Sequence, residues 1–257
     1  MCFDLDSRPP ITPIAGGAMD GASMTLTSAD GTAFGAFAAR AAHPTGAGIL
    51  ILPDVRGLHA YYEELALRFA ENGVDAVAID YFARTAGLGD RGDDFDFGPH
   101  VGQTRWATLS ADIRAGIAAV RTLRSEDAAP THLFVTGFCM GGRLTFLAGT
   151  LGLGLDGLIG FYGWPTGASG SGSPAPADVA AEIEAPVLAV YGGADPNIGP
   201  DVREAFDRAM DTAGLEHRTL VYPGAPHSFF DRKAADHVDA SAAAWDETLS
   251  FIRTRST

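Results

Sequence analysis

Residues 137–142, Gly-Phe-Cys-Met-Gly-Gly, place a cysteine between small residues two positions before it and two positions after it. An apolar run precedes them and a helical pattern follows, which is the context of a nucleophile elbow. In such an elbow a strained turn holds the nucleophile above the carboxyl end of a sheet, and small neighbours let strand and helix pack closely. The helix N-terminus adds N–H groups and a positive dipole, which favour a thiolate. The pattern predicts a nucleophilic Cys139; the alternative is a buried structural cysteine.

A nucleophilic cysteine needs a base, and histidine is a common one. Where a chain carries this elbow, the order along it is nucleophile, acid, histidine. Three histidines follow the cysteine: His217 opens an apolar run, His237 lies in a helical pattern, and His227 lies in a loop directly after the last predicted strand. Open α/β sheets bind their ligands at the carboxyl-end loops of the strands. His227 is therefore the predicted base.

The acid that orients the base is expected in the loop after the preceding strand. Asp195 lies there, in the run Gly-Gly-Ala-Asp-Pro of residues 192–196. From that turn its carboxylate can accept the Nδ1–H of an imidazole, although an Asp before Pro is also an ordinary turn residue. Asp201 is the second candidate, but its position fits the cap or first turn of the next helix.

An oxyanion that forms during attack on a carbonyl needs two N–H donors. One is expected from the backbone of Met140, the residue after the nucleophile. The other is expected from the loop after the strand at 47–52, where we predict the N–H of Val55. The same loop carries Asp54 close to the place where the cysteine should emerge. On pattern alone, Asp54 fits a functional group and an ordinary loop residue equally well.

Short apolar runs predict the strands that must position these residues, and spacings of three and four predict the helices. The predicted strands are 24–28, 33–39, 47–52, 74–79, 132–136, 156–161, 186–191 and 217–222. The predicted helices are 60–72, 104–124, 141–150, 201–213 and 234–253. The first two strands flank Asp30-Gly31, which is a hairpin signal. This order predicts an α/β protein with a mostly parallel sheet, helices on both faces and an antiparallel hairpin at its start.

Two segments interrupt this alternation. Residues 84–103 are rich in Gly and Asp, and residues 165–178 are rich in Pro, Gly and Ser. Both exceed the usual length of a connection, which favours insertions that cover a pocket over domain boundaries. We therefore predict a single domain over 1–257, with an N-terminal arm at 1–22.

Composition limits the partners. The chain has 257 residues and a net charge of −14, so nucleic acid and anionic membrane surfaces are not expected to bind it. Cys2 and Cys139 are too few for a disulfide scaffold, and no bridge between them is expected. The acidic start MCFDLDSRPP lacks the pattern of a signal peptide, which predicts a cytoplasmic protein. No metal-ligand or nucleotide-binding motif is visible, so neither a metal nor a cofactor is predicted, and a monomer is the default.

The residues described above, taken in order, resemble the dienelactone hydrolase family of α/β-hydrolases. The resemblance covers roughly residues 24 to 253. It is carried by the elbow at 137–142, the loop 54–57 (Asp-Val-Arg-Gly), residues 80–84 (Asp-Tyr-Phe-Ala-Arg), residues 191–195 (Tyr-Gly-Gly-Ala-Asp) and residues 226–229 (Pro-His-Ser-Phe). It implies the α/β-hydrolase fold, a triad of Cys139, His227 and Asp195, and hydrolysis of ester or lactone bonds without a cofactor.

The resemblance also implies further site residues. In the family's type member a Glu contacts the thiol and gates it; Asp54 stands at the matching position here and is one methylene shorter. Arginines of the type member bind the substrate carboxylate. The candidates in this chain are those nearest the matching positions and those near the predicted site: Arg232, Arg84, Arg105, Arg56 and Arg143.

The sequence thus predicts a hydrolase of a small ester or lactone that forms a thioester on Cys139. Two alternatives remain open. One is a broad-specificity carboxylesterase that does not act on dienelactone. The other is a ligand-binding protein without catalytic activity on the same fold.

Overall fold

One mixed sheet forms the centre of the protein. The structure is a computed structural model that describes residues 8–92 and 94–256. Its eight strands within these residues are β1 (Ala18–Thr27), β2 (Ala33–Ala41), β3 (Ala47–Leu52), β4 (Val74–Ile79), β5 (His132–Phe138), β6 (Gly157–Phe161), β7 (Val187–Gly192) and β8 (His217–Tyr222). The spatial order is β1-β2-β4-β3-β5-β6-β7-β8. Cys2 lies outside the described residues.

The predicted mixture of antiparallel and parallel pairing is confirmed. β1 pairs with β2, and β2 with β4, in antiparallel fashion, while all later pairs are parallel. Every residue of β3, β4 and β7 is buried. This explains why the central strands appear in the sequence as continuous apolar runs, whereas a strand with one wet face would alternate.

Helices cover both faces of the sheet. They are α1 (Ala60–Glu71), α2 (Ala83–Ala86), α3 (Gly98–Val101), α4 (Trp106–Arg121), α5 (Met140–Ala148), α6 (Pro200–Ala213) and α7 (Val238–Arg255). Two glycines of β6 show that α5 and α7 lie on opposite faces. A Cβ on Gly157 would meet Phe251 of α7 at 2.4 Å, and a Cβ on Gly160 would meet Phe146 of α5 at 2.3 Å. Residues three apart in a strand point to opposite sides.

The predicted N-terminal arm is wrong over residues 18–22, because β1 begins at Ala18. Residues 1–7 of that arm lie outside the described part. The sequence conceals the start of β1 because it is an edge strand with mostly exposed side chains, so no apolar alternation marks it. Its backbone still pairs with β2, from Ala18 opposite Ala41 to Thr27 opposite Ala33.

Other differences concern the ends of elements. The closing helix begins at Val238 rather than at 234, and residues 234–236 form a separate 3₁₀ turn. The break falls at His237, whose φ of −132° is not helical. The predicted insertion 84–103 contains the short helix α3 and all of α2 except its first residue, Ala83. Among the described residues, no helix has the length and apolar character of a membrane span.

Candidate active site

Cys139 lies at the sharp turn between β5 and α5. Its backbone has φ 54° and ψ −110°, a conformation that costs a residue with a side chain of order 1–3 kcal/mol. The glycines around it are required by contact. A Cβ on Gly137 would lie 2.3 Å from the Gly141 carbonyl oxygen, and a Cβ on Gly141 would lie 2.0 Å from that of Leu52. The sequence pattern thus reflects how closely strand and helix approach at the elbow.

The elbow is fixed to the neighbouring strand. The N–H of Cys139 donates to the carbonyl of Phe161 at 3.0 Å, at the carboxyl end of β6. A Cβ on Gly142 would lie 2.4 Å from the same carbonyl oxygen. The cysteine side chain is partly exposed, while β5 before it is buried. The structure therefore holds this thiol at the carboxyl edge of the sheet, as the motif predicts.

Asp195 and His227 form a direct pair at the same edge. The Nδ1 of His227 lies 2.6 Å from Oδ2 of Asp195, and the Asp195 side chain is fully buried. Oδ1 of Asp195 accepts the backbone N–H of Asn197 at 2.9 Å. Burial alone would raise the pKa of Asp195, but the hydrogen bond from His227 and those from two backbone N–H groups outweigh it and lower the pKa. The carboxylate is thus ionised and aimed at the imidazole.

Tyr162 connects this pair to the elbow. It follows Phe161, the residue that accepts the N–H of Cys139. Its ring centroid lies 4.9 Å from that of His227. The candidate nucleophile and the candidate base are therefore both in contact with the dipeptide Phe161-Tyr162 at the end of β6. Sequence reasoning missed Tyr162, since an aromatic residue at a strand end gives no signal that separates such a contact from ordinary core packing.

Backbone strain is concentrated here. Within the described residues, the non-glycine residues with positive φ are Cys139 (54°), Tyr162 (38°) and Ser228 (61°). They belong to three different connections, after β5, β6 and β8, and yet they lie at one edge of the sheet. Strained conformations persist only where the surroundings fix them, and they are found preferentially at functional sites.

Asp54 lies in the loop that passes beside the elbow. A Cβ on Gly141 would lie 2.3 Å from the Pro53 carbonyl oxygen. The Asp54 carboxyl is buried and accepts the N–H of Arg56 at 2.8 Å. Burial, followed by the negative charge of Asp231, raises its pKa well above the usual value. Val55 and Met140, the predicted oxyanion donors, follow directly after Pro53-Asp54 and Cys139.

Asp231 is a third buried carboxylate beside the site, after Asp195 and Asp54, and sequence reasoning missed it. It is 2% exposed and accepts the hydroxyl of Tyr162 at 2.5 Å. Burial raises its pKa to about 6, against hydrogen bonds and positive charges that lower it. In the sequence it follows Phe229-Phe230, and Asp is a residue type that is mostly exposed. That pattern conceals its burial.

The five candidate arginines are used differently. Arg84 donates to Asp112 and Asp30, and Arg105 donates to the carbonyls of Gly102 and Thr104. These two guanidiniums are thus bound by other groups of the chain. The other three lie next to the site along the chain. Arg56 and Arg232 each donate a backbone N–H to a buried carboxylate, that of Asp54 and that of Asp231 respectively, and Arg143 is in the first turn of α5.

Arg143 holds the segment after β6. Its guanidinium is buried, and it donates to the carbonyls of Trp164, Thr166, Gly167 and Pro174 at 2.8–3.1 Å. Its surroundings are therefore those of a structural tie rather than of an open anion site. Residues 84–103 are anchored in a comparable way, because Arg91 forms two hydrogen bonds to Asp80 at the end of β4.

Comparison with known proteins adds independent support for the family to which this chain is similar. The model of the dienelactone hydrolase family matches residues 34–256. A Salmonella typhimurium protein provisionally named a carboxymethylenebutenolidase is 28% identical over 251 residues, which are 95% of this chain and 92% of that protein. An Escherichia coli O157:H7 protein with the same provisional name is 28% identical over 208 residues, 80% of this chain and 76% of that protein.

Solved structures agree. A Klebsiella pneumoniae protein provisionally described as a dienelactone hydrolase superposes with a TM-score of 0.75 at 26% identity, covering 91% of this chain and 99% of that one. A dienelactone hydrolase-like promiscuous phosphotriesterase from metagenomic libraries has a TM-score of 0.72 at 20% identity, over 91% of this chain and 98% of that one, which shows the shared fold. The chain belongs to the dienelactone hydrolase family of α/β-hydrolases, which hydrolyse ester or lactone bonds.

Proposed function

We propose that this chain hydrolyses small carboxylic esters or lactones through a thioester on Cys139. The observation that carries the proposal is the 2.6 Å contact between His227 and Asp195, beside an elbow that presents a thiol. A nucleophile, a base and an acid that orients the base are the three parts that acyl transfer requires.

In the first half-reaction His227 Nε2 takes the proton of the Cys139 thiol, and Sγ attacks the carbonyl carbon. The carbonyl electrons move to oxygen, and the N–H groups of Met140 and Val55 stabilise the resulting oxyanion. When the intermediate collapses, the C–O bond to the leaving group breaks and His227 returns the proton to the leaving alkoxide. A thioester remains. For a lactone, the alcohol stays attached to the acyl group.

In the second half-reaction the same histidine takes a proton from water, and the hydroxide attacks the thioester. Collapse breaks the C–S bond, and the proton returns to the thiolate. Asp195 supports both steps because its carboxylate stabilises the imidazolium and fixes the ring. Every transfer uses groups of this chain, so the reaction as proposed needs no metal or cofactor. A cytoplasmic, monomeric enzyme of one domain stays our expectation.

We further propose that residues 84–103 and 165–178 cover the substrate pocket. The N–H of Trp106, the first residue of α4, donates to the carbonyl of Ser171 at 2.9 Å, so the second segment is bonded to the chain three residues beyond the end of the first. Each is anchored close to the sheet edge that carries Cys139, by Arg91 and by Arg143 respectively. The substrate size is therefore expected to depend on these segments.

Hydrolysis of p-nitrophenyl acetate and of cis- and trans-dienelactone, followed by absorbance, tests the proposal. Wild type is compared with Cys139→Ala and His227→Gln, and with His217→Gln as a matched histidine control on β8. Turnover of dienelactone that depends on Cys139 supports the activity named by the family, and turnover of the acetate alone supports a broader carboxylesterase. If the protein binds these compounds but shows no Cys139-dependent turnover, the proposal is wrong and a binding protein is favoured.

A further inference from the structure

Asp231 is a buried charge that the proposed mechanism does not use. It lies four residues after His227 in the connection from β8 to α7 and is 2% exposed. Its Oδ2 accepts the Tyr162 hydroxyl at 2.5 Å, and its Oδ1 accepts the N–H of Arg232. Burying a carboxylate here costs folding free energy, because burial removes the charge from water.

Tyr162 places this carboxylate next to the base. Its hydroxyl binds Asp231, while its ring contacts the His227 ring with centroids 4.9 Å apart and planes tilted by 54°. Its own N–H donates to the carbonyl of Val190 at 2.7 Å, which fixes it to β7. Asp231 is thus held at one position relative to the imidazole by a side chain that cannot shift without disturbing the sheet edge.

We propose that Asp231, held by Tyr162, is a positioning residue whose negative charge assists Asp195 in stabilising the His227 imidazolium. The imidazolium forms when the S–H bond of Cys139 breaks and the proton moves to Nε2 of His227, with the electron pair left on sulfur. This inference rests on the proposed function, since it assigns a second carboxylate to the same proton transfer.

The groups that face Asp231 determine whether Asp231 or its neighbour Asp54 carries the negative charge. They come from four parts of the chain: Tyr162 after β6, Tyr61 and Tyr62 on α1, Asp54 after β3, and His227 and Arg232 in its own connection. Burial and the charge of Asp231 raise the pKa of Asp54 well above its usual value, which favours its neutral form. Burial raises that of Asp231 only to about 6, since hydrogen bonds and nearby positive charges oppose it. Asp231 is therefore the member of this acidic pair that is ionised near neutral pH.

The test is the pH dependence of kcat/KM for p-nitrophenyl acetate in wild type and Asp231→Asn, measured between about pH 5 and pH 8. At the upper end of this range we expect kcat/KM of the variant to be lower by about tenfold, which corresponds to about 1.4 kcal/mol of lost imidazolium stabilisation. Below about pH 6 the wild-type carboxyl is itself protonated, so the wild-type advantage should shrink toward one. An advantage that stays constant over the whole range would show a structural role and overturn the inference.

Two further variants protect this test. Tyr162→Phe keeps the ring but removes the hydroxyl, and we expect a smaller effect with the same dependence on pH; it serves if Asp231→Asn does not fold. Asp75→Asn is the matched control. Asp75 is 1% exposed and binds Arg124, but it lies at the amino end of β4, at the edge of the sheet opposite the site. Its loss should lower stability while the ratio of rates stays independent of pH.

A second measurement separates this inference from the proposed function. The rate at which iodoacetamide alkylates Cys139, measured in a Cys2→Ser background, reports the fraction of Cys139 present as thiolate and requires no ester turnover. If no ester is hydrolysed but alkylation at neutral pH falls several-fold in Asp231→Asn, the proposed function fails and the role of Asp231 stands. If ester turnover depends on Cys139 but neither readout changes with Asp231, only the inference fails.

Discussion

The carboxylate of Asp195 is shared between the imidazole of His227 and the chain that follows it. One oxygen lies 2.6 Å from Nδ1 of His227, and the other accepts the N–H groups of Asn197 and Ile198. The turn after β7 therefore fixes the direction of the carboxylate through its own backbone, independently of the loop that carries His227. A side chain held in this way loses little entropy when it orients the base.

This relationship predicts the effect of Asp195→Asn. The amide keeps the size of the side chain but removes the charge and favours the wrong imidazole tautomer, so kcat/KM should fall by about 10²- to 10⁴-fold. Asp201→Asn, in the first turn of α6, is the control and should retain near wild-type activity. Steady-state kinetics of both variants decide between the two carboxylates; equal losses would contradict the assignment of Asp195.

Strain at the elbow predicts opposite effects of one substitution on activity and stability. Cys139→Gly removes the proposed nucleophile, so activity should fall by about 10³-fold or more. The same change relieves a positive φ, so the free energy of unfolding should rise by about 1 kcal/mol. Urea denaturation monitored by circular dichroism measures the second quantity. Cys139→Ala, which keeps the strain, provides the comparison; a glycine variant no more stable than the alanine variant would count against stored strain.

The tie made by Arg143 predicts a loss of order in the segment after β6. In Arg143→Met four carbonyls lose their donor, and we expect a loss of about 2–3 kcal/mol in stability. Limited proteolysis should then cut residues 165–174 before other loops. Arg114→Ala is the control, since Arg114 also donates to a carbonyl, that of Leu151, but is exposed at the surface. Similar cleavage patterns for the two variants would argue against a special role of Arg143.

Burial of Asp231 predicts how stability varies with pH. Its folded-state pKa of about 6 is raised above the ordinary value, so the folded protein binds this proton more tightly than the unfolded chain. The associated stability is present at low pH and is lost as pH rises from about 4 to about 6, by roughly 2–3 kcal/mol. In Asp231→Asn this pH-dependent component should be absent. Urea denaturation of both proteins across this range measures it, and parallel curves would refute the prediction.

The sequence predicted those parts of the molecule that short-range patterns specify. Gly137, Gly141 and Gly142 could be recognised because the close approach of strand and helix at the elbow excludes a Cβ. The central strands could be recognised because both of their faces are buried. The positions of Cys139, His227 and Asp195 at one edge followed from strand order, and their catalytic roles remain predictions.

Features that depend on contacts distant in sequence could not be predicted. Tyr162 and Asp231 are separated by 69 residues, and neither residue carries a local pattern that announces the other. The start of β1 was missed because an exposed edge strand is specified by backbone pairing rather than by side chains. The hydrogen bonds of Arg84 to Asp30 and Asp112 likewise join the β1–β2 turn, α2 and α4, which are far apart in the sequence.

Arg91 and Arg143 hold two long segments of the chain through different kinds of partner. Arg91 holds residues 84–103 through the Asp80 carboxylate, and Arg143 holds residues 165–178 through main-chain carbonyls. Carbonyls are present whatever the side chains are, so most residues of 165–174 can be exchanged while Arg143 keeps its partners. If this segment covers the pocket as proposed, a gene library that randomises these side chains would change substrate preference without altering the elbow.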